Sequence, residues 1–408
     1  MTGEERKPNP ASVEEEEGGE EELRWLWKAN EDTKLCQYAN DFGTRIGMTV
    51  VTLTTSRPLE FPLFKRAFRI AQSKCLNLRV TLRSRGNDLW FCELLKPSLD
   101  VEELDENEDL FEVIERLSKQ NYNCKNQPHW RIRLTPRKQG SSNVLENSKK
   151  DFPFQYDYIF QMNHILFDGM NLALVVDMAH KILDRLIEGE SNFDGETGYG
   201  YTENTGLEER ERDVEMKLLE GEGYRELIAR EMPPGGRIPW INKGYPKPGV
   251  HRSSTKHITR QIGQELLQKL SVKCKEAGVT FNSAFTAIIN ISLMQLMRSA
   301  GVDEDSYDIY SYQLVNLRRY LDNQEKTPGG AYHYPMTYCS RVNAADKENF
   351  WEYAKKCNEE LQSKLKAGRP LEQKVLSDRR KTSRRLLPSS STTLLPSWSI
   401  SASPTSAT

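Results

Sequence analysis

Apolar and polar positions along this chain keep switching between a period of two and a period near four, which predicts interleaved strands and helices. "RIGMTVVTLTT" (45–55) is rich in β-branched residues and predicts a strand. In "PLEFPLFKRAFRIAQSKC", Phe64, Ala67, Phe68 and Ala71 recur at helical spacing. "LNLRVTLRSRGNDLWFCELL" predicts a hairpin turning at Gly86, Asn87 and Asp88. A second amphipathic helix follows in "DLFEVIERLSKQNY", then an alternating strand in "HWRIRLTP". Past the polar loop "GSSNVLENSKK" comes a central strand, "YDYIFQM". In the next segment Leu172, Val175, Val176, Ala179, Ile182, Leu183 and Leu186 share one helical face. The first half therefore reads β-α-β-β-α-β-β-α.

The second half opens irregularly. "EGESNFDGETGYGYTENTG" is glycine-rich and acidic, and "MPPGGRIPWINKGYPKPGV" has the Pro and Gly content of a crossover. "RSSTKHITRQ" predicts a strand. Two helices follow: "GQELLQKLSVKCKEAG", stopped by Gly278, and "TFNSAFTAIINISLMQLMRSAG", with Thr280 as N-cap and Gly301 as terminator. "SYDIYSYQLVNLRRY" and "AYHYPMTYCSRV" predict strands, and "KENFWEYAKKCNEELQSKLKAG" a helix. The expected organisation is a disordered acidic terminus (1–22), an N-terminal lobe (23–187), a loop and crossover (188–250), a C-terminal lobe (251–368) and a disordered Arg/Ser/Thr-rich tail (369–408).

Composition narrows the function. A chain of 408 residues has room for two domains of ordinary size. Its 57 basic and 59 acidic residues nearly cancel, so no concentrated positive field argues for nucleic acid. Seven scattered cysteines include no C-x-x-C pair and no metal-ligand spacing with histidine. The first 22 residues carry nine glutamates in place of a secretory signal, and no apolar run predicts a transmembrane segment. A reduced, cytoplasmic protein is the expectation, and the oligomeric state is left open.

One stretch carries chemistry: "FQMNHILFDGMN" (160–171) places His164 at the end of the central strand, four residues before Asp168-Gly169. A general base must be uncharged, close to the proton it takes, and fixed in orientation, and histidine titrates near neutral pH. Asp168 can fold back across the turn as a clamp, and Gly169 allows the chain to swing into the following helix. A satisfied histidine in a turn is the plain alternative. His180 reads as an ordinary helix residue.

"NHILFDG" resembles the H-x-x-x-D-G signature of the CoA-dependent acyltransferase superfamily, which includes chloramphenicol acetyltransferase, plant alcohol acyltransferases and nonribosomal-peptide condensation domains. "PLEFPLFKRAFRIAQSKCLNLRVTLR", "NYNCKNQPHWRIRL", "VTFNSAFTAIINISLMQL" and "QLVNLRRY" resemble further segments of condensation-type domains, so the likeness spans about residues 23–365. The resemblance implies an α/β fold of two chloramphenicol-acetyltransferase-like lobes, each a mixed sheet with flanking helices, and a tunnel between them. It implies His164 as the base that deprotonates an alcohol or amine acceptor attacking an acyl thioester, with acyl-CoA as co-substrate and no bound cofactor or metal. It implies Asp168 as a carboxylate that pairs with an arginine, for which Arg318 is the best match. Asn163 stands where many condensation-type members carry a first histidine. Asn163, Ser311, Tyr312 and His333 are expected to line the tunnel, and a hydroxyl on the strand of Tyr310, Ser311 and Tyr312 could donate to the thioester oxyanion. The segment "asp-phe-gly-trp-gly", which follows the second lobe's core in much of the family, is absent. That leaves an inactive condensation-like binding module as the alternative.

Overall fold

The computed structural model describes residues 22–41, 46–120, 122, 127–136, 152–195, 198, 207–220, 243–245, 260, 262–321 and 332–385. They form two compact units, one holding the described residues up to 198 and the other those from 207 onward. The strand expected at 252–261, the polar loop at 140–150 and most of both expected tails lie outside the described residues.

The first unit runs β1 (Leu23–Lys28), α1 (Glu31–Asp41), β2 (Ile46–Thr55), α2 (Phe61–Lys74), β3 (Val80–Arg85), β4 (Asp88–Leu94), β5 (Val101–Glu103), α3 (Leu110–Ser118), β6 (Trp130–Pro136), β7 (Phe154–Asn163) and α4 (Gly169–Ile187). Two sheets result, β1-β4-β3 and β2-β7-β6-β5. In the larger one β2, β7 and β6 are antiparallel neighbours, and β5 runs parallel to β6. The expected β3–β4 hairpin is present: Arg85 pairs with Asp88, and Gly86 takes a φ of 61° that only glycine adopts without strain.

β7 is unbroken by exposed positions because both of its faces are covered. Tyr158 and Phe160 meet Phe68 of α2, with ring centroids 5.9 and 6.3 Å apart, and α4 packs over the same core. Ile159, on the opposite face, packs against Val113, Ile114 and Leu117 of α3. Gln161 Nε2 donates to Leu117 O at 2.7 Å, and Asp157 Oδ1 accepts from Thr52 Oγ1 at 2.6 Å. A strand buried on both sides reads as a continuous apolar run instead of an alternation.

The second unit contains α5 (Leu207–Glu220), α6 (Gln264–Glu276), α7 (Phe281–Ser299), β8 (Ser306–Asn316), β9 (His333–Asn343), a short α8 (Ala344–Glu348), α9 (Phe350–Lys366) and α10 (Arg369–Arg385). β8 and β9 pair antiparallel, and their buried Tyr307, Ile309 and Val342 pack on Ala287, Met294, Tyr353 and Ala354 of α7 and α9. Thr280 caps α7 by accepting from Ser283 N–H, and Gly278 and Gly301 take the left-handed φ expected of helix stops.

Two expectations are corrected. α5 forms inside the stretch expected as loop and crossover, and its charged sequence leaves none of its described side chains buried. Residues 369–385 are helical, not disordered: Leu371, Val375 and Leu376 are buried at helical spacing. Gln373 holds α10 to the sheet, its Oε1 accepting from Thr337 N at 2.7 Å and its Nε2 donating to Thr337 O at 3.1 Å. One amide side chain thus pairs a backbone donor and acceptor of β9, as a neighbouring strand would.

Among the described residues no single helix is long and apolar enough to cross a membrane. Six cysteines there are free thiols, and no group of three or more potential metal ligands occurs.

Candidate active site

The site begins where β7 ends. From Asp157 to Asp168 every residue is buried except His164, which is exposed. The burial on either side is polar as well as apolar, and it fixes the backbone that presents this one imidazole.

Asn163, fully buried, organises the turn. Its Oδ1 accepts from Ile165 N–H at 3.1 Å, and its carbonyl accepts from Leu166 N–H at 3.0 Å. Its Nδ2 donates to Gln37 Oε1 at 2.9 Å and sits 3.1 Å from His129 Nδ1. Its own N–H donates to His129 O at 2.9 Å. An Asn closing a turn over the next two residues is the Asx arrangement, and here it places His164 at the turn's first corner.

Asp168 closes the other end. It is buried, adopts extended backbone, and its Oδ1 accepts from Asn171 N–H at 2.8 Å as the N-cap of α4. A corrected expectation concerns Gly169. It is the first helical residue, it does not take a positive φ, and a Cβ there would meet nothing within 4 Å. The change of direction is made by the extended Asp168, so no special glycine conformation is required. Asn171, the next buried polar residue, accepts at Oδ1 from Asn77 Nδ2.

His129 was not anticipated. It precedes β6 and is 3% exposed. Its ring stacks on Tyr122 at 5.4 Å, and the Arg131 guanidinium lies 4.8 Å from the same Tyr122 ring. Asp100 offsets the buried cations, lying 3.3 Å from Arg131 and 2.6 Å from Arg133. Burial, with Arg83 adding repulsion, pushes the His129 pKa down to about 3. His180 lies on α4, its Nε2 2.9 Å from the Tyr158 hydroxyl, and burial lowers its pKa.

The second unit holds the other expected residues. Arg318 is 8% exposed and lies in a 3-10 turn (Leu317–Tyr320) after β8, not on the strand itself. Its guanidinium sits 4.8 Å from the Tyr332 ring, and its N–H donates to Asn316 Oδ1 at 3.0 Å. The Asp168–Arg318 clamp would join a residue of one unit to a residue of the other, and it stays a proposal. Ser311 and Tyr312 point to opposite faces of β8, as neighbours in a strand do. Ser311 shares the face of the buried Tyr307, Ile309 and Val315. Tyr310 and Tyr312 share the other face with His333, which opens β9 opposite Asn316. Tyr310 lines a cavity of about 370 Å³ with Thr337, Cys339, Lys364 and Arg369, and burial raises its pKa, so the phenol keeps its proton and can donate.

No protein-family model matches the sequence, and no curated protein matches it. Solved structures do resemble it. The first condensation domain of the calcium-dependent antibiotic synthetase, in complex with a substrate analogue, superposes with a TM-score of 0.56 at 15% identity, covering 84% of this chain and 75% of that one. The condensation domain of the monacolin K polyketide synthase MokA gives a TM-score of 0.55 at 14% identity, with 88% and 76% covered. The polyketide synthase associated protein 5 from Mycobacterium tuberculosis gives 0.56 at 13% identity, with 86% and 76% covered. The chain is therefore similar in fold to condensation domains, whose structures have two chloramphenicol-acetyltransferase-like lobes.

Proposed function

We propose that this protein is an acyltransferase that moves an acyl group from a thioester to an alcohol or amine acceptor, with His164 as general base. The observation that carries this reading is the isolation of one exposed imidazole within an otherwise buried run, Asp157 to Asp168. A histidine serving only to fill a turn has no need of a buried asparagine on one side and a buried cap on the other. The condensation-type fold supports the same chemistry.

In this reading a ring nitrogen of His164 takes the proton of the acceptor O–H or N–H as the freed electron pair attacks the thioester carbonyl carbon. The tetrahedral intermediate collapses with cleavage of the C–S bond, and the imidazolium returns the proton to the departing thiolate. Acyl-CoA is the proposed donor. Asp168, engaged with Arg318, would shape the site without touching substrate, and Tyr312 and His333 would line the passage to it. Tyr310 is the proposed oxyanion donor.

The test is product formation by the full chain. Incubation with acyl-CoAs of increasing chain length and a mixture of alcohols and amines is expected to yield free thiol and an ester or amide of matching mass. Donors hydrolysed no faster than in buffer, with no acylated acceptor from any pair, would contradict the proposal.

A further inference from the structure

The proposed chemistry leaves a buried imidazole of the same unit, His129, without a task. We propose that His129 is a positioning residue for this reaction: its Nδ1, 3.1 Å from the Asn163 amide, locks the turn that presents His164. The inference rests on the acyl-transfer reading above.

The hydrogen bonds around Asn163 leave one consistent assignment. Ile165 N–H can only donate, so the atom it meets at 3.1 Å is the amide oxygen. The other end is then the NH2 group, whose two hydrogens point to Gln37 Oε1 and to His129 Nδ1. An amide nitrogen cannot accept, so His129 Nδ1 must be bare and its hydrogen must sit on Nε2. Protonating His129 would set N–H against N–H and break the contact. Burial prevents this, since the pKa of His129 lies at about 3.

The ring also has little freedom to turn away. Tyr122 stacks on it at an interplanar angle of 20°, and Tyr122 is itself held by Arg131. His129 O accepts from Asn163 N–H, so backbone and side chain bind the same partner. Residue 163 is thereby fixed at both its main chain and its amide, and the following residue is His164. Removing the acceptor at position 129 leaves one amide hydrogen of Asn163 unpaired and weakens the hold on the turn over Ile165, which then rests on Gln37 and Ile165 N–H alone. Catalysis is sensitive to displacements of about 1 Å, which can cost about 100-fold in rate.

The experiment compares kcat and KM for thiol release by the full chain in wild type, His129→Leu, His129→Asn and His164→Ala, together with the imidazole nitrogen shifts of wild-type His129 by NMR. His129→Leu removes the acceptor and is expected to lower kcat by about 10- to 100-fold with KM changed less than about twofold. In His129→Asn the side-chain oxygen can occupy the place of Nδ1, and most of kcat is expected to return. The NMR shifts are expected to show hydrogen on Nε2 and a bare Nδ1. Wild-type kcat in His129→Leu beside an inactive His164→Ala would overturn the positioning role while leaving acyl transfer intact. Equal rates in His164→Ala and wild type would overturn the acyl-transfer reading itself. Should His129→Leu fail to fold, an Asn variant that folds but stays as slow as about 1% of wild type, or an Nδ1–H tautomer in the wild type, overturns the positioning role.

Discussion

Burial sets two histidines of the first unit apart. His164 is exposed at a turn, whereas His129 is enclosed and held neutral well below its ordinary range. The second fact has a consequence for stability. The pKa of His129 in the fold, about 3, lies below the value near 6.5 of an unfolded histidine, so the unfolded chain binds more protons between those limits. The stabilisation is complete above about pH 6.5 and falls as the pH is lowered toward about 3, at about 1.4 kcal/mol per pH unit at its steepest. Arg83 is the cation that opposes His129 protonation directly. Denaturant unfolding between pH 7 and 4 is therefore expected to lose less stability in His129→Asn than in wild type; parallel pH curves would show that His129 titrates normally. Gly169→Ala is expected to leave the melting temperature unchanged or slightly raised, because a Cβ has open space there and Ala suits a helix. A large fall in melting temperature would contradict the helical conformation assigned to Gly169. At this scale the sequence made His164 and Asp168 legible, since strand, turn and helix signals bracket them. It did not reveal His129, whose partner is 34 residues away.

That blindness has its cause at the level of elements. β6 and β7 pair so that Trp130 faces Met162, which brings His129 beside Asn163. Slipping the register by two residues would keep every side chain on its face, yet the histidine contact would be lost. No local pattern distinguishes the two registers. Helices were easier to read: α2, α4 and α7 have the apolar spacing that the sequence displays, and α7 has its expected Thr280 cap. The first 17-residue stretch of the expected tail was misread because its charge outweighs three apolar contacts that only tertiary packing makes worthwhile. Two predictions belong here. Asp168→Ala is expected to lower stability by about 1 kcal/mol through loss of the α4 cap, whereas Asp168→Asn still caps. A rate loss in Asp168→Asn with little change in melting would then isolate the charge that the proposed clamp with Arg318 needs; equal damage in stability from both variants would show that capping is not the role of Asp168. Gln373→Ala is expected to cost about 1–3 kcal/mol by leaving Thr337 N–H and C=O without their partner. Unchanged unfolding would mean that α10 does not hold the β9 edge.

At the scale of the whole molecule, two separately cored units carry the condensation-type architecture, and identities of 13–15% to the three related structures carry the fold alone. What the chain adds is a specific arrangement at one strand end: an exposed imidazole, a buried amide that closes its turn, and a buried carboxylate that starts the next helix. The fold class was legible through the family resemblance, and the proposed base, His164, through the strand, turn and helix signals around it. The network beneath the base was not, because it depends on strand register. The most direct measurement is the rate of thiol release from an accepted acyl-CoA and acceptor by wild type and by His164→Ala, with circular dichroism verifying equal folding. Removing the imidazole is expected to lower the rate by about 100-fold or more. Equal rates in the two folded proteins would contradict His164 as the base.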